Sequence, residues 1–239
     1  TLNAGTLTLG NAAALGTGAL TVTGAGTLQS NAALTTSNAI TLNANLTVGG
    51  VNPLTLGGVV SGGSGLIKTG ASSLALTGNN TYTGTTALNA GSLVVGANTA
   101  LGTSVLNATA GTTLDASAAV SLGNNLNLAG DLTLGGSNAL TLGGVVAGVG
   151  GFIKNGPADL ILNGANTYFG NTALNAGKLV VGTDGALGAG VLNAAAGTTL
   201  DANTAVSLAN AVNLAGNLGI GGSANLPLGG TVNGAGSLT

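Results

Sequence analysis

The sequence predicts an all-β protein, a right-handed parallel β-helix with about four coils in each 86-residue repeat. Three observations predict it: the repeat runs through the chain without a gap, apolar and polar residues alternate in short segments, and glycine interrupts every stretch that could form a helix. Of the 239 residues, 46 are glycine, and each glycine inside a helix costs about 1 kcal/mol relative to alanine. Repeated short strands that stack on their neighbours indicate a β-solenoid.

The repeat is visible as identical peptides spaced by 86 residues. The tetrapeptide Leu-Asn-Ala-Gly occurs at 2–5, 88–91 and 174–177. The chain is therefore read as one continuous solenoid, 1–239, and its internal repeats are 1–86, 87–172 and a truncated third copy, 173–239. Because the chain lacks an initiator Met and stops inside a repeat, we expect it to be part of a longer array.

Within one copy, apolar residues alternate with polar ones over three to five residues, which is the pattern of a strand. The alternating pairs of the second copy include Leu93/Val95, Val120/Leu122, Leu126/Leu128, Leu132/Leu134, Leu140/Leu142 and Leu160/Leu162. About twelve such segments, three to a coil, predict about four coils of 21 to 22 residues per copy and about eleven coils in the chain.

In such a solenoid, Leu, Val, Ile and Ala fill the core, while Thr, Ser and Asn face water. Glycine and Asn are expected at corners, where the backbone takes the left-handed conformation. Asn side chains are also expected to hydrogen-bond to their equivalents one coil away. Sparse charge suits this stack, because like charges on successive coils would repel.

A β-propeller is the alternative repeat architecture, with blades of about 43 residues. Propeller blades carry recurrent aromatic signatures. This chain has two Tyr, two Phe and no Trp. The solenoid is therefore favoured.

Composition excludes several classes of function. The only charged residues are three Lys and five Asp, the net charge is -2, and there is no His or Cys. The chain therefore lacks the usual zinc ligands and most acid–base and nucleophilic groups. It also lacks the basic surface that binds nucleic acid. No apolar run approaches the roughly 18 residues of a membrane-spanning helix, so we expect no membrane insertion by this segment.

The five Asp residues are the remaining candidates for catalysis, and the internal copies test them. Their replacements are Gln29 for Asp115 and Asp201, Asn45 and Asn217 for Asp131, Ser73 for Asp159, and Asn98 and Ala12 for Asp184. No position is acidic in all three copies, and no cluster offers the carboxylates that calcium requires. We therefore predict no enzyme activity, no catalytic, cofactor-binding or metal-binding residues, and no cofactor.

Two lysines and two tyrosines recur at equivalent positions, Lys68 and Lys154, and Tyr82 and Tyr168. Functional roles would be a partner contact for the lysines and a sugar-stacking ridge for the tyrosines. We expect instead that the lysine stems lie along the rod with their ammonium groups in water. The tyrosines are expected to cover a corner, with each hydroxyl bonded to a neighbouring loop.

Threonine pairs suggest an ice-binding face as a further alternative. Thr6/Thr8, Thr21/Thr23 and Thr81/Thr83 resemble the threonine ladders of ice-binding solenoids. A face that matches a crystal should keep its pattern, but Thr83 is replaced by Phe169 in the next copy. We therefore do not expect this function.

The most specific motif occupies 65–96, GLIKTGASSLALTGNNTYTGTTALNAGSLVVG, and 151–182, GFIKNGPADLILNGANTYFGNTALNAGKLVVG. It resembles the autotransporter-associated β-strand repeat of passenger regions in type V secreted surface proteins. The matching positions are Lys68, Gly70, Leu74, Leu76, Asn80, Thr81, Tyr82, Gly84, Thr86, Gly91 and Leu93, with Lys154, Gly156, Leu160, Leu162, Asn166, Thr167, Tyr168, Gly170, Thr172, Gly177 and Leu179. Ser72 and Ala158 depart from one glycine of the pattern, and only a turn should be affected.

The resemblance covers about a third of each copy and implies export across the outer membrane and display as a β-helical stalk. We predict a structural, non-catalytic stalk or passenger segment of a secreted or surface-displayed bacterial autotransporter-like adhesin, located outside the cell or at the outer-membrane surface. The alternative is a self-assembling extracellular filament or sheath subunit, because open solenoid ends can pair head to tail. A third class is a carbohydrate-binding or carbohydrate-hydrolysing β-helix. The expected partners are further copies of the chain, or ligands on host or other cell surfaces.

Overall fold

A computed structural model describes all residues, 1–239, as 28 short β-strands without a helix. Every pairing between these strands is parallel. The strands stack as a β-solenoid of about 12 turns. The predicted solenoid is confirmed and the propeller is wrong, because paired strands come from successive coils. The right-handed sense of the coil stays a prediction.

Most strands contain only three residues. Their bounds are β1 Gly5–Leu9, β2 Leu20–Val22, β3 Gly26–Ser30, β4 Leu34–Thr36, β5 Ile40–Leu42, β6 Leu46–Val48, β7 Leu54–Leu56, β8 Val60–Gly62, β9 Leu66–Lys68, β10 Ser73–Leu76, β11 Thr86–Leu88, β12 Ser92–Val95, β13 Leu106–Ala108, β14 Thr112–Ala116, β15 Val120–Leu122, β16 Leu126–Leu128, β17 Leu132–Leu134, β18 Leu140–Leu142, β19 Val146–Gly148, β20 Phe152–Lys154, β21 Leu160–Leu162, β22 Thr172–Leu174, β23 Lys178–Val181, β24 Leu192–Ala194, β25 Thr198–Ala202, β26 Val212–Leu214, β27 Leu218–Ile220 and β28 Val232–Gly234.

Each coil has three sides, which we name face 1, face 2 and face 3. Face 1 contains β2, β5 and β8 and, farther along the rod, β15, β18, β21, β23, β25 and β27. Face 2 contains β1, β3, β6, β9, β11, β13, β16 and β19. Face 3 is the longest sheet and contains β4, β7, β10, β12, β14, β17, β20, β22, β24, β26 and β28.

The interior of the rod is one continuous column of apolar side chains. A single cluster of 52 buried residues runs from Leu2 to Leu218. The strand β7 shows the local rule, because Leu54 and Leu56 are buried while Thr55 between them is partly exposed. Period-two alternation therefore sends one set of side chains to the core and the other to the surface.

One coil takes 20 residues along most of the chain. Leu66 is level with Thr86, and Thr86 is level with Leu106. Where β10, β12 and β14 follow one another, the offset is 19 and then 21, since Leu74 pairs with Leu93 and Leu93 with Leu114. The predicted 21 to 22 residues per coil is wrong, because many corners, such as 43–45, need only three residues between strands.

The 86-residue repeat is not a whole number of coils. Four coils take 80 residues, and the remaining six carry the chain to the next face. The strand β9, Leu66–Lys68, therefore lies on face 2, whereas its equivalent β20, Phe152–Lys154, lies on face 3. One repeat is four and one-third coils rather than about four. Equivalent residues in successive copies consequently differ by one third of a turn about the rod axis.

The interruptions of the strand ladder follow the same rotation. Face 1 has no strand at Asn80–Tyr82 and at 100–101, which separate β8 from β15. In the next copy the equivalent residues, Asn166–Tyr168 and 186–187, lie on face 2 beyond β19 and are again outside any strand. Local sequence therefore determines the interruption, and the repeat length determines the face on which it occurs.

Glycine and Asn have different roles at the corners. Every residue with a positive φ angle is glycine, so the expectation that Asn shares the left-handed conformation is wrong. Asn acts through its side chain instead. The Nδ2 atom of Asn124 donates to the carbonyl oxygens of Gly102 at 3.1 Å and Ser104 at 2.7 Å. Asn38 and Asn210, one repeat away on either side, make equivalent pairs of bonds.

Asn side chains also bond to one another between coils. The amide of Asn175 donates to Oδ1 of Asn155 at 2.9 Å, and that of Asn213 donates to Oδ1 of Asn193 at 3.0 Å. Both pairs are 20 residues, or one coil, apart. The expected stacking of amides is confirmed at these positions.

None of the secondary-structure elements is a helix that could span a bilayer.

Because one coil lies so close to the next at Gly148, we predict that Gly148→Ala strongly destabilises the fold. Gly148 has a φ of 115°, and a Cβ there would collide with the carbonyl oxygen of Leu128 on the preceding coil. We expect a loss of stability on the order of 3 kcal/mol, measured by chemical denaturation. Gly123→Ala is the matched control, because its Cβ would meet nothing within 4 Å and its φ is not positive. Equal effects of the two substitutions would contradict this explanation.

Candidate functional site

The polar residues of the recurrent motif lie mainly inside the rod, beginning with its lysine. Lys68 is 1% exposed. Its Nζ atom donates to the carbonyl oxygens of Thr69 at 2.7 Å, Gly70 at 2.8 Å and Ala90 at 3.3 Å. Ala90 belongs to the next coil, so the ammonium group joins two coils at the corner between faces 2 and 3. Burial lowers the pKa of Lys68 below its ordinary value.

Lys154 forms the same cage one repeat later. Its Nζ atom donates to the carbonyl oxygens of Asn155 at 3.3 Å, Gly156 at 2.7 Å and Ala176 at 3.2 Å. Burial lowers the pKa of Lys154, and the charge of Asp159 opposes that shift. The expectation that the two lysines extend into water is wrong, because three carbonyl groups at a tight corner accept all three N–H donors of each ammonium group.

The motif tyrosines are fully buried, so the expectation that they cover a corner is also wrong. The hydroxyl of Tyr82 lies 2.6 Å from Oγ1 of Thr86, which lies 3.0 Å from Oγ of Ser104. The hydroxyl of Tyr168 lies 2.6 Å from Oγ1 of Thr172. Each tyrosine is at an interruption of the strand ladder, where its ring fills the core and its hydroxyl finds a buried partner.

Burial raises the pKa of Tyr168 to about 12, while the hydrogen bond with Thr172 acts in the opposite direction. Burial also raises the pKa of Tyr82. The ring of Tyr168 packs edge-on against Phe152, with centroids 5.2 Å apart and an interplanar angle of 70°. These groups stabilise the core and are not presented to a ligand.

The motif asparagine adds side-chain hydrogen bonds at the same interruption, where some backbone bonds remain, such as that from the N–H of Thr81 to the carbonyl oxygen of Val60 at 2.9 Å. Oδ1 of Asn80 accepts the backbone N–H of Val60 at 2.8 Å, and its Nδ2 donates to the carbonyl of Ala100 at 2.6 Å. These three residues belong to three successive coils. Asn166 makes the equivalent bonds one repeat later. The Asn-Thr-Tyr sequence therefore reinforces the hydrogen bonding between coils where no strand forms, and its tyrosine fills the core behind it.

The aspartates mainly accept hydrogen bonds from backbone N–H groups. Oδ1 of Asp131 accepts the N–H of Gly151 at 2.8 Å, and at the equivalent place Oδ1 of Asn45 accepts the N–H of Gly65 at 2.8 Å. Because the structure uses one acceptor oxygen, an amide serves as well as a carboxylate. This explains the exchange of Asp for Asn between copies. No three aspartates come together in a group that could hold a metal ion.

Asp201 is the most enclosed carboxylate, at 5% exposed. Its Oδ1 accepts the N–H of Ala202 at 2.8 Å, and its Oδ2 accepts the hydroxyl of Ser223 at 2.8 Å. Burial acts to raise the pKa of Asp201, but the bonds from Ser223 and Ala202 and the charge of Lys178 outweigh it, so the pKa lies below its ordinary value. The carboxylate of Asp201 therefore serves as a hydrogen-bond acceptor at a corner of the rod.

One ion pair lies on the surface of face 1. Nζ of Lys178 is 3.1 Å from Oδ2 of Asp159, and each side chain is more than a third exposed. The equivalent residues one repeat earlier, Ser73 and Ser92, are level with each other on adjacent coils. Both positions change together from neutral to charged. Such an exposed pair contributes about 0–1 kcal/mol.

Three of the four surface cavities lie near the interruptions. One of about 240 Å³ is lined by residues that include Asn98, Val120 and Thr141, and one of about 360 Å³ by their equivalents Asp184, Val206 and Pro227. A third, of about 390 Å³, adjoins the first at 98–105 and 123–125. The first two recur one repeat apart and so follow from the fold.

Comparison with known protein families identifies the recurrent motif. The family model described as Passenger-associated-transport-repeat matches residues 66–95 and 152–181. The resemblance inferred from the sequence is confirmed. The matched segments contain both lysine cages and both Asn-Thr-Tyr interruptions, so the family pattern at these positions corresponds to buried structural contacts.

A longer stretch is similar to the Adhesin BmaC autotransporter of Brucella suis biovar 1 (strain 1330). The identity is 35% over 144 residues, which cover 56% of this chain and 4% of that protein. The chain thus spans a small part of this relative's length. No solved structure matches the chain. Both matches support an autotransporter passenger.

The lysine cage predicts that Lys68→Met destabilises the rod. The substitution keeps an apolar stem but leaves the carbonyls of Thr69, Gly70 and Ala90 without their donor. We expect a loss of about 1–3 kcal/mol in urea unfolding at pH 7. The matched control is Lys178→Met, which removes the exposed ion pair with Asp159 and a weak attraction to Asp201 and should cost less than about 1 kcal/mol. If the two variants unfold alike, the cage does not stabilise the fold.

The buried tyrosine predicts a defined dependence on pH. Because the folded-state pKa of Tyr168, about 12, exceeds the ordinary value of 10.0, the folded chain keeps a proton that the unfolded chain loses. Its contribution is therefore complete below pH 10 and is lost as the pH rises from 10 to about 12. We expect the stability of the wild type to fall by about 2–3 kcal/mol relative to Tyr168→Phe across this range. Parallel pH profiles of the two proteins would contradict the assignment; the lysines are common to both and cancel.

Proposed function

We propose that the chain is a structural, non-catalytic segment of the passenger of a surface-displayed, autotransporter-like bacterial adhesin. The observation that carries the proposal is that the polar groups of the recurrent motif are used inside the rod. The ammonium group of Lys68, the amide of Asn80 and the hydroxyl of Tyr82 each bond to other groups of the chain. The motif that marks the family thus maintains the rod.

A rod of this kind suits a spacer between the cell and a distant contact. Each coil adds about 4.8 Å to its length, so one 86-residue repeat adds about 21 Å. Parallel ladders on three faces and side chains such as Asn80, which joins three coils, resist bending and local opening. The length of the spacer is then set by the number of repeats.

The family match and the adhesin relative support a location outside the cell, and we propose the outer-membrane surface in particular. The chain has no cysteine, so the fold reaches its stability without disulfides. Its hydrogen bonds and core are made within and between coils.

Self-assembly is a second candidate, and the parallel stacking of the coils favours it, because a coil of one copy can stack on a coil of another. An uncovered parallel edge with apolar neighbours can add a strand from another chain. Head-to-tail filaments of the isolated chain in electron micrographs would support this candidate, and single rods at high concentration would contradict it.

The spacer proposal predicts that one repeat can be removed from the passenger on the bacterial surface. Deletion of 87–172 joins equivalent residues and preserves coil register, so we expect normal surface display, retained adhesion and a rod shorter by about 21 Å. Antibody labelling and electron microscopy measure display and reach. Deletion of 87–162 is the control, because it breaks register and should prevent display. Normal display with complete loss of adhesion would contradict a purely structural role for the deleted repeat.

A further inference from the structure

The fourth surface cavity is a groove on face 3 that the fold and the family motif do not explain. It has a volume of about 390 Å³ and extends from Asn175, directly after β22, across the outer surfaces of β24, β26 and β28. Its walls include the amides of Asn175, Asn193, Asn213 and Asn233, one from each of four successive coils. This volume is within the range of small-ligand sites.

The amides of the groove have unused hydrogen-bonding capacity. Asn213 donates one N–H to Oδ1 of Asn193 at 3.0 Å, and Asn175 donates one to Asn155 outside the groove at 2.9 Å. Other side-chain groups have no hydrogen-bond partner in the structure. They are the Oδ1 atoms of Asn175 and Asn213 and the Nδ2 N–H groups of Asn193. Donors and acceptors therefore occur together along the rod axis, at a spacing of about 4.8 Å per coil.

The floor of the groove is apolar, and none of its lining residues is charged. Ala195 and Ala215 lie on successive coils beside the amides, with Leu214 beneath them. A ligand that fits this surface needs an apolar side as well as groups that both donate and accept hydrogen bonds. It gains nothing from carrying charge.

The second repeat shows that the groove is not a consequence of the fold. At the equivalent of Ala195 it has Thr109, whose hydroxyl donates to the carbonyl oxygen of Asn89 at 3.0 Å. At the equivalent of Asn233 it has Ala147. None of the other three cavities lies at these residues, although the second repeat keeps three of the four amides, Asn89, Asn107 and Asn127. The third repeat, which has the groove, therefore differs from the second by Ala195 in place of Thr109 and Asn233 in place of Ala147.

We propose that this groove binds a segment of a neutral, hydroxyl-rich glycan lying along the rod axis. Each sugar hydroxyl both donates and accepts, which matches the mixed capacity of the amides, and the C–H face of a sugar ring can lie on the alanines. Successive pyranose rings of an extended glycan have a spacing close to that of the coils. An acidic polysaccharide or a nucleic acid would require cations that the lining does not contain. An added peptide strand would require an open sheet edge rather than a sheet face.

The proposal is independent of the structural role, because a spacer that fails to bind glycans is still a spacer. Since the groove is shallow and few groups contact the ligand, we expect dissociation constants on the order of 0.1–1 mM. The proposal concerns one face of the rod near its third repeat. A repeat deletion at 87–172 leaves it intact.

The test titrates the full 239-residue chain with maltohexaose, cellohexaose and chitohexaose, monitored by NMR of the asparagine side-chain amides. We expect at least one glycan to shift the amides of the groove, and the double variant Asn193→Ala/Asn213→Ala to weaken binding at least tenfold. The matched control is Asn107→Ala/Asn127→Ala, the equivalent residues on face 2, which should bind normally. Ala195→Thr fills the floor and should also weaken binding while leaving every amide in place.

A reciprocal variant strengthens the test. Thr109→Ala/Ala147→Asn rebuilds the groove residues in the second repeat and should add a second site on face 2, seen as a doubled binding stoichiometry. Circular dichroism melting checks that each variant folds. The proposal is overturned if none of the three glycans shifts the groove amides at 10 mM, if the face 2 control loses binding equally, or if an acidic oligogalacturonate binds more tightly than the neutral glycans.

Discussion

Stacking in register, residue on residue, is the constraint on which the rest of this structure depends. Because backbone hydrogen bonds pair positions 20 residues apart, every side chain lies about 4.8 Å from its counterparts on the neighbouring coils. A charge introduced at one level faces the same position of the next coil, so a long stack favours amides, hydroxyls and small residues. The exception, Asp159 with Lys178, has opposite charges on adjacent coils. The low content of charged residues is thus a consequence of the stacking of equivalent positions.

The recurrent motif concentrates the groups that a plain strand repeat cannot supply. Where no strand forms, the side chain of Asn80 adds hydrogen bonds to both neighbouring coils, and Tyr82 fills the core. At the corner between faces 2 and 3, Lys68 satisfies three carbonyl groups with one ammonium group. A buried charge is costly to place, and three good acceptors are what make it tolerable. The motif is therefore a local solution to an irregular coil, repeated every four and one-third coils.

Each repeat is one third of a coil longer than four coils, and this extra third determines the direction in which surface features of the rod point. Equivalent residues in successive copies lie on successive faces, as β9 and β20 do. A feature present once per repeat therefore faces three directions in turn and returns to the same face only after three repeats. A partner on one side of the rod meets every third copy. The asparagine groove follows this rule, since its counterparts at 107 and 127 lie on face 2.

The sequence by itself determined the strand content, the coil stacking and the family resemblance, because alternation and an ungapped period depend only on residue order. It also showed that the aspartates are exchangeable, which the acceptor role of Asp131 explains. Only the tertiary structure decided the 20-residue coil, the rotation between copies and the burial of Lys68 and Tyr82. Local sequence does not reveal how tightly a corner turns or which carbonyls converge on an ammonium group. Those outcomes depend on residues about 20 positions away, which become neighbours only once the coils have stacked.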